Sequence, residues 1–143
     1  MNFLLVEDDP IAVTATERGF GTAPIQVRLQ SVPNGIEACR YISGAAQYGD
    51  RQTHPVPDVI ILDINLPRLS GFDFLRWLRE SAPENCRSTP VIIVSSSGTA
   101  SDAEWAQALG AKMLLLKPVR WPAFWQQLSE SGLLKLNEVP AGN

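Results

Sequence analysis

Asp58-Val59-Ile60-Ile61-Leu62-Asp63-Ile64-Asn65-Leu66-Pro67 is the stretch from which the rest of the chain can be read. Val59 to Leu62 are β-branched or aliphatic with no polar alternation, the pattern of a central strand in a parallel sheet covered on both faces. The run stops abruptly on one carboxylate, Asp63, at the carboxyl end of that strand. In open α/β sheets this edge is where loops converge and ligands bind, so Asp63 is a site candidate on position alone. Pro67 and Gly71 follow as turn and helix-entry residues and close a strand-loop-helix unit.

Toward the amino terminus, residues 2–6 form a short apolar run and predict the first buried strand. It is ended by Glu7, Asp8 and Asp9, acids that cannot stay in a core unpaired. Asp9 followed by Pro10 predicts a helix start, an N-cap carboxylate with proline at the first helical position. That helix is expected to reach Gly19 or Gly21, with Ile11, Ala15 and Phe20 as its apolar positions. Residues 25–31 alternate apolar and polar, as a half-exposed edge strand should. Asn34 with Glu37 resembles a capping box for a helix to Ser43. Residues 44–57, with Gly44, Gly49, Asp50, Pro55 and Pro57, read as an extended surface loop.

Toward the carboxyl terminus, a helix over 71–81 is predicted to bury Phe72, Leu75 and Leu78 and to leave Arg76 and Arg79 outward. Residues 83–90 connect it to a second wholly apolar strand, Val91 to Val94, which ends on Ser95-Ser96-Ser97-Gly98. Ser101 and Glu104 form a capping box for a short helix to Leu109, terminated by Gly110. Met113 to Leu116 is the fifth strand and ends on Lys117-Pro118. A last amphipathic helix carries Trp121, Phe124, Trp125 and Leu128. Five strands alternating with five helices imply an α/β fold, a doubly wound parallel sheet with right-handed crossovers.

The chain has 143 residues and a formal net charge of -3. That length fits one domain, expected over residues 1–131, with a loosely ordered tail at 132–143 and no output domain. The charge gives no electrostatic footprint for nucleic acid. No stretch approaches the roughly 20 apolar residues of a membrane span. The amino terminus lacks the basic and long apolar regions of a signal peptide, so a cytoplasmic protein is expected. Cys39 and Cys86 lie far apart and form no pattern with the single His54, so both read as reduced packing or surface residues. Zinc needs about four clustered ligands, a grouping this sequence does not present.

Four strand ends carry polar residues directly after apolar runs: Glu7-Asp8, Asp63, Ser95 and Lys117. In a doubly wound sheet these ends share one rim. Three carboxylates brought together there repel by roughly 1–4 kcal/mol per pair at surface-like dielectric, so they require a cation. Oxygen ligands with room for water suit Mg²⁺ best. With the cluster screened, the Asp63 carboxylate can approach an incoming phosphoryl group as a nucleophile and form an acyl phosphate. Ser95 would then donate a hydrogen bond to one phosphoryl oxygen and the Lys117 ammonium would pair with another, while the small Ser96 leaves the approach open.

Together these residues resemble the receiver domain of two-component response regulators. The resemblance runs from about Asn2 to Leu128 and rests on five separated features: Val6-Glu7-Asp8, Leu62-Asp63-Ile64-Asn65-Leu66-Pro67, Gly71, Val94-Ser95-Ser96 and Lys117-Pro118. It implies a flavodoxin-like sheet of strand order 2-1-3-4-5. It also implies that Asp63 accepts phosphate from a phosphohistidine of a histidine kinase. Glu7, Asp8, Asp63 and the Asn65 backbone carbonyl would hold Mg²⁺, and Ser95 and Lys117 would contact the phosphoryl group. The long 44–57 loop and the aromatic-rich last helix look more like the stand-alone receivers paired with phytochrome-type histidine kinases.

One position departs from the common pattern. Leu114 stands three residues before Lys117, where most receivers carry the Tyr or Phe that swings inward when the hydroxyl residue moves, which puts the usual aromatic readout in doubt. The stripe of Trp121, Phe124, Trp125 and Leu128 is core by its spacing, yet four bulky groups exceed what one face buries. The excess is expected as a homodimer or partner patch on the fourth helix, fifth strand and fifth helix, extended by Leu133, Leu134 and Leu136.

The expected function is a single-domain phosphoacceptor that signals through protein contacts, and the sequence does not separate that output from a phosphate sink or relay intermediate. Asn65 and Ser97 flank the position from which water would attack. An aspartyl-phosphate phosphatase needs a second Asp two residues after the nucleophile, where this chain has Asn65. A flavin carrier of the same topology needs phosphate donors after the first strand, where Glu7-Asp8-Asp9 would repel the cofactor.

Overall fold

The computed structural model describes residues 1–66 and 69–134. The turn expected at Pro67 and most of the tail, Leu136 included, lie outside the described residues. The elements are β1 (Asn2–Val6), α1 (Pro10–Phe20), β2 (Arg28–Val32), α2 (Gly35–Ser43), β3 (Val59–Asp63), α3 (Gly71–Glu80), β4 (Val91–Ser95), α4 (Ala100–Ala108), β5 (Met113–Leu116) and α5 (Trp121–Glu130). All strand pairs are parallel, in the order β2-β1-β3-β4-β5 that the resemblance implies.

The unbroken apolar runs are explained by burial on both faces of the sheet. Ile60 and Leu62 of β3 point into a core shared with Tyr41, Phe74, Leu75 and Leu78 of α2 and α3. Val59 and Ile61 point into a second core with Phe3, Phe20, Phe124 and Trp125, under α1 and α5. Every residue of β3 and of β4 is buried.

Helix starts are fixed by side-chain caps. Asp9 accepts from the Ile11 N–H at 3.0 Å, with Pro10 opening α1. Asn34 accepts from Glu37 N–H at 2.8 Å, as its spacing predicts. For α4 the expected cap at Ser101 is replaced by Thr99, which accepts from Asp102 N–H at 3.1 Å. The reason is local: Gly98 turns the chain with φ of +56°, so the helix begins at once and Ser101 falls inside it.

Several expectations about faces are corrected. In α1, Ile11 is 80 % exposed and Ala15 is also outside, while Thr16, Gly19 and Phe20 face inward. Gly19 is selected because the indole of Trp121 lies where its Cβ would stand. β2 begins at Arg28, opposite Asn2, and Ile25 and Val27 pack against the core ahead of it. In α3 the fully buried Phe74 was not singled out, and Phe72 is only partly buried. Arg79 is not outward: its guanidinium donates to the carbonyls of Arg87 at 2.9 Å and Thr89 at 2.8 Å.

The 44–57 segment is not simply an extended surface loop. It contains a 3-10 turn at Ala46–Tyr48, and Tyr48 is buried. Arg51 holds the segment to the end of α2 by donating to the carbonyls of Tyr41 and Ile42, each at 2.8 Å, and of His54 at 3.2 Å. One guanidinium thus supplements the Gly44 N–H in satisfying carbonyls at the helix terminus.

The aromatic helix also resolves differently from expectation. Phe124 and Trp125 are buried, and Trp121 is partly so, in a mostly edge-to-face cluster with Phe3 and Phe20. Trp125 Nε1 donates to the Gly19 carbonyl at 3.2 Å, which lets the indole enter the core with its polar edge satisfied. Leu134 is buried in the same cluster and Leu133 packs against it. The outward apolar groups of α4 and β5 are instead Trp105, 48 % exposed with its ring 6.2 Å from that of Phe72 in α3, and Leu116, 58 % exposed. Cys39 and Cys86 are both free thiols.

Candidate functional site

The sheet register carries the acidic and basic residues to one rim. Val6 pairs with Leu62, Asp63 with Val94, and Ser95 with Leu116, so each strand delivers its first polar residue at about the same height. Glu7 is held there by its own N–H, which donates to the Val32 carbonyl at 3.0 Å. Asp63 closes β3, and Gly71 lies so close that a Cβ on it would stand 2.7 Å from the Asp63 carbonyl oxygen. The Ser70 cap, accepting from Asp73 N–H at 3.1 Å, fixes the start of α3 against this point. Ser70 was not singled out in the sequence, although Ser-x-x-Asp before an apolar helix is a cap signal.

Glu7, Asp8 and Asp63 meet. One carboxylate oxygen from each lies within 4.8 Å of the others, with Glu7 and Asp63 buried and Asp8 exposed. Lys117 Nζ donates to Glu7 Oε1 at 2.5 Å and to Asp63 Oδ2 at 3.0 Å. The Asn65 N–H donates to Asp63 Oδ1 at 2.9 Å. Five of the six expected site residues therefore share one cluster: Glu7, Asp8, Asp63, Asn65 and Lys117.

Ser95 is the sixth, and its hydroxyl is engaged elsewhere. The side chain is fully buried at the end of β4, and Oγ accepts from the N–H groups of Ser97 at 3.2 Å and Gly98 at 3.1 Å. Ser97 Oγ in turn lies 3.3 Å from Asp102 Oδ2 at the start of α4.

The electrostatics follow from crowding acids in a dry cleft. Burial, reinforced by the hydrogen bond with Asp63, pushes the Glu7 carboxyl from 4.5 up to about 7. Burial also acts upward on Asp63, but hydrogen bonds from Glu7, the Asn65 N–H and Lys117 outweigh it and hold this carboxyl below its ordinary value. Burial acts downward on Lys117, and the two carboxylates more than reverse that, so the ammonium stays charged. Of the two buried carboxylates, Asp63 is thus the one held ionised at neutral pH.

The donor set fits a hard divalent cation. All candidate ligands are oxygens, Asp8 faces solvent, and Glu7 Oε2 is buried with no hydrogen-bond partner among the described residues. An orphaned buried carboxylate oxygen is costly, and a metal ion relieves that cost.

Comparison with known proteins agrees with this geometry. A family model described as the response regulator receiver domain matches residues 3–128. The chain belongs to the response regulator receiver domain family. Receiver domains act as phosphoacceptors in two-component signalling and use Mg²⁺ in their acidic pocket. Among curated relatives, the polar-differentiation response regulator DivK of Brucella ovis is 33 % identical over 91 residues, covering 64 % of this chain and 72 % of DivK. A protein-glutamate methylesterase/protein-glutamine glutaminase of Myxococcus xanthus is 45 % identical over 62 residues, 43 % of this chain. That match spans only 16 % of the methylesterase.

Solved structures extend the likeness over nearly the whole chain. Response regulator RPA3017, in red light signalling of R. palustris, superposes with TM-score 0.79 at 27 % identity and covers 99 % of each chain. The bacteriophytochrome response regulator RtBRR gives TM-score 0.75 at 30 % identity, over 99 % of this chain and 84 % of that one. The receiver domain of sensor histidine kinase PA1611 from Pseudomonas aeruginosa, with a magnesium ion coordinated in its active-site cleft, gives 0.72 at 28 %, over 92 % and 97 %.

Proposed function

We propose that this receiver takes a phosphoryl group onto Asp63 from the phosphohistidine of a sensor histidine kinase, in a Mg²⁺-dependent reaction, and signals by protein contacts. The observation that carries this reading is the meeting of Asp63 with Glu7, Asp8 and Lys117 at the carboxyl rim.

Glu7, Asp8, Asp63 and the Asn65 carbonyl would hold the ion, which when bound supplies positive charge against the carboxylates and the transferred phosphoryl oxygens. Asp63 attacks phosphorus, the bond from phosphorus to the histidine nitrogen breaks, and the imidazole leaves with the electron pair. Lys117 stays charged beside Asp63 and pairs with a phosphoryl oxygen, while Ser95 donates its hydroxyl proton to another. Asn65 and Ser97 flank the line along which water later attacks the acyl phosphate, and they set its lifetime.

The likeness to red-light and bacteriophytochrome regulators favours a phytochrome-type kinase as donor. The cytoplasm is the compartment in which such a partner works. Leu116, exposed at the end of β5, supplies apolar surface, which favours homodimerisation through the face of α4, β5 and α5. A phosphate sink or relay intermediate is the second reading, favoured by Leu114, which stands where most receivers place an aromatic readout residue and packs against the core.

The test is transfer from a phosphorylated histidine kinase. Label should appear on the wild type with Mg²⁺ and disappear with EDTA, and equal labelling of Asp63→Asn would refute the assignment.

A further inference from the structure

Leu114 is aliphatic and packed against the core, so signal export from the site needs another moving part. The neighbouring geometry supplies one. Ser95 Oγ holds the N–H groups of Ser97 and Gly98, so the hydroxyl that would bind a phosphoryl group is also the post to which the β4-α4 connection is tied. Gly98, with φ of +56°, has the Leu116 side chain against it, and a Cβ there would stand 2.1 Å from Leu116 Cδ2. Leu116 pairs with Ser95 across the sheet, and Lys117 N–H donates to the Ser95 carbonyl at 2.9 Å. Leu116 is nevertheless 58 % exposed and directly precedes Lys117, whose ammonium touches Asp63.

We propose that Leu116 is the residue through which occupancy of the Asp63 site reaches the surface, by way of its contact with Gly98 and the hold of Ser95 on the Gly98 N–H. The inference rests on the phosphoacceptor reading. A hydroxyl turned toward a phosphoryl group can no longer accept from both loop N–H groups in the same geometry. The connection is then released at Gly98, and the group leaning on Gly98 is Leu116. Its displacement changes the apolar surface presented at the exposed end of β5. Ser97 carries the same event toward Asp102 and the first turn of α4.

The experiment uses the full chain with Mg²⁺ and beryllofluoride, an analogue of the phosphoryl group, followed by NMR. Bound fluorine resonances report loading, and the Gly98 amide with the Leu114 and Leu116 methyls report the response. On loading, the Gly98 amide and Leu116 methyls should shift while the Leu114 methyls stay in place. In Leu116→Ala the Gly98 amide should already lie toward its loaded position before beryllofluoride is added, and Leu116→Met should restore the wild-type response. A loaded protein in which Leu116 is silent, or in which Leu114 moves instead, overturns the proposal. So does a Gly98 response unaltered by Leu116→Ala. Absence of any bound fluorine signal in the wild type would instead remove the phosphoacceptor reading, and this inference with it.

Discussion

Gly71 abuts the backbone of Asp63 so closely that any side chain there would collide with it: an added Cβ would stand 2.6 Å from Ile64 Cα and 2.7 Å from the Asp63 carbonyl oxygen. These neighbours are backbone atoms of the central strand end, which cannot swing aside as a side-chain tip can. Gly71→Ala should therefore cost about 1–3 kcal/mol, the usual range for overpacking, and lower the rate of Asp63 labelling. Gly49→Ala, whose added Cβ meets atoms only at 3.5 Å, should leave both nearly unchanged. Urea denaturation and phosphotransfer on the two variants check this.

The proton held by Glu7 gives the metal-free protein a pH signature. An unfolded chain releases that proton near 4.5, the folded one near about 7, so the folded state holds more protons between these values. The stability this contributes is complete below 4.5 and is lost as pH rises through about 7. Asp63, shifted downward, acts at lower pH and does not offset it there. Thermal unfolding in EDTA should show Tm falling across this window, with Glu7→Gln giving a flatter profile. Mg²⁺ competes with the proton, so its affinity should rise over the same interval, which calorimetric titration reads directly.

Lys117→Met removes the cation that two carboxylates share. We expect a loss of about 1–3 kcal/mol above neutral pH without metal, below the range for a fully buried pair because the lysine side chain is 27 % exposed. Added Mg²⁺ should recover most of it. Phosphotransfer should fall even in saturating Mg²⁺, since the lysine's proposed contact to the phosphoryl oxygen is gone.

The two aromatic populations should separate cleanly. Trp125→Ala empties a buried, hydrogen-bonded site and should cost about 3–5 kcal/mol. Trp105→Ala, which loses a half-exposed ring bordering Phe72, should cost less, about 1 kcal/mol, and Leu116→Ala at the exposed end of β5 should instead weaken self-association. Chemical denaturation measures the two costs, and sedimentation with and without beryllofluoride the self-association.

Arg51→Ala should free the 44–57 segment. Three carbonyls lose a donor, two of them at the end of α2, where that of Tyr41 keeps only the Gly44 N–H. We expect a loss of about 1–3 kcal/mol and faster amide hydrogen exchange between residues 44 and 57, with little effect on Asp63 labelling.

The strand ends were legible in the sequence because each apolar run stops on a polar residue, and a parallel sheet gathers such stops on one edge. Asp9, Asn34 and Gly44 marked helix boundaries by chemistry local to a few residues. What escaped the sequence depends on partners far along the chain. Which face of α1 turns inward is decided by Trp121 against Gly19, more than a hundred positions apart. Arg79 reads as an outward cation, and the segment carrying Arg51 as a surface loop, because carbonyls that need a donor cannot be seen in a sequence. The aromatics of α5 looked excessive for one helix face because Phe3 and Phe20, which share their burial, sit at the opposite end of the chain. Ser95 was legible as a residue, but the loop that occupies its hydroxyl was not.

The ion pair between Lys117 and Glu7 joins positions separated by 110 residues. Neither the first strand nor the last owns the cleft, so a chain that has not yet laid β5 onto β4 can gather its acids but has no ammonium to set among them. Detachment of that outer strand would silence the chemistry while most of the core on either face of the sheet stayed intact. Anything that binds the completed cleft must therefore also clasp the first and last strands to the sheet, making occupancy a brace for the whole fold.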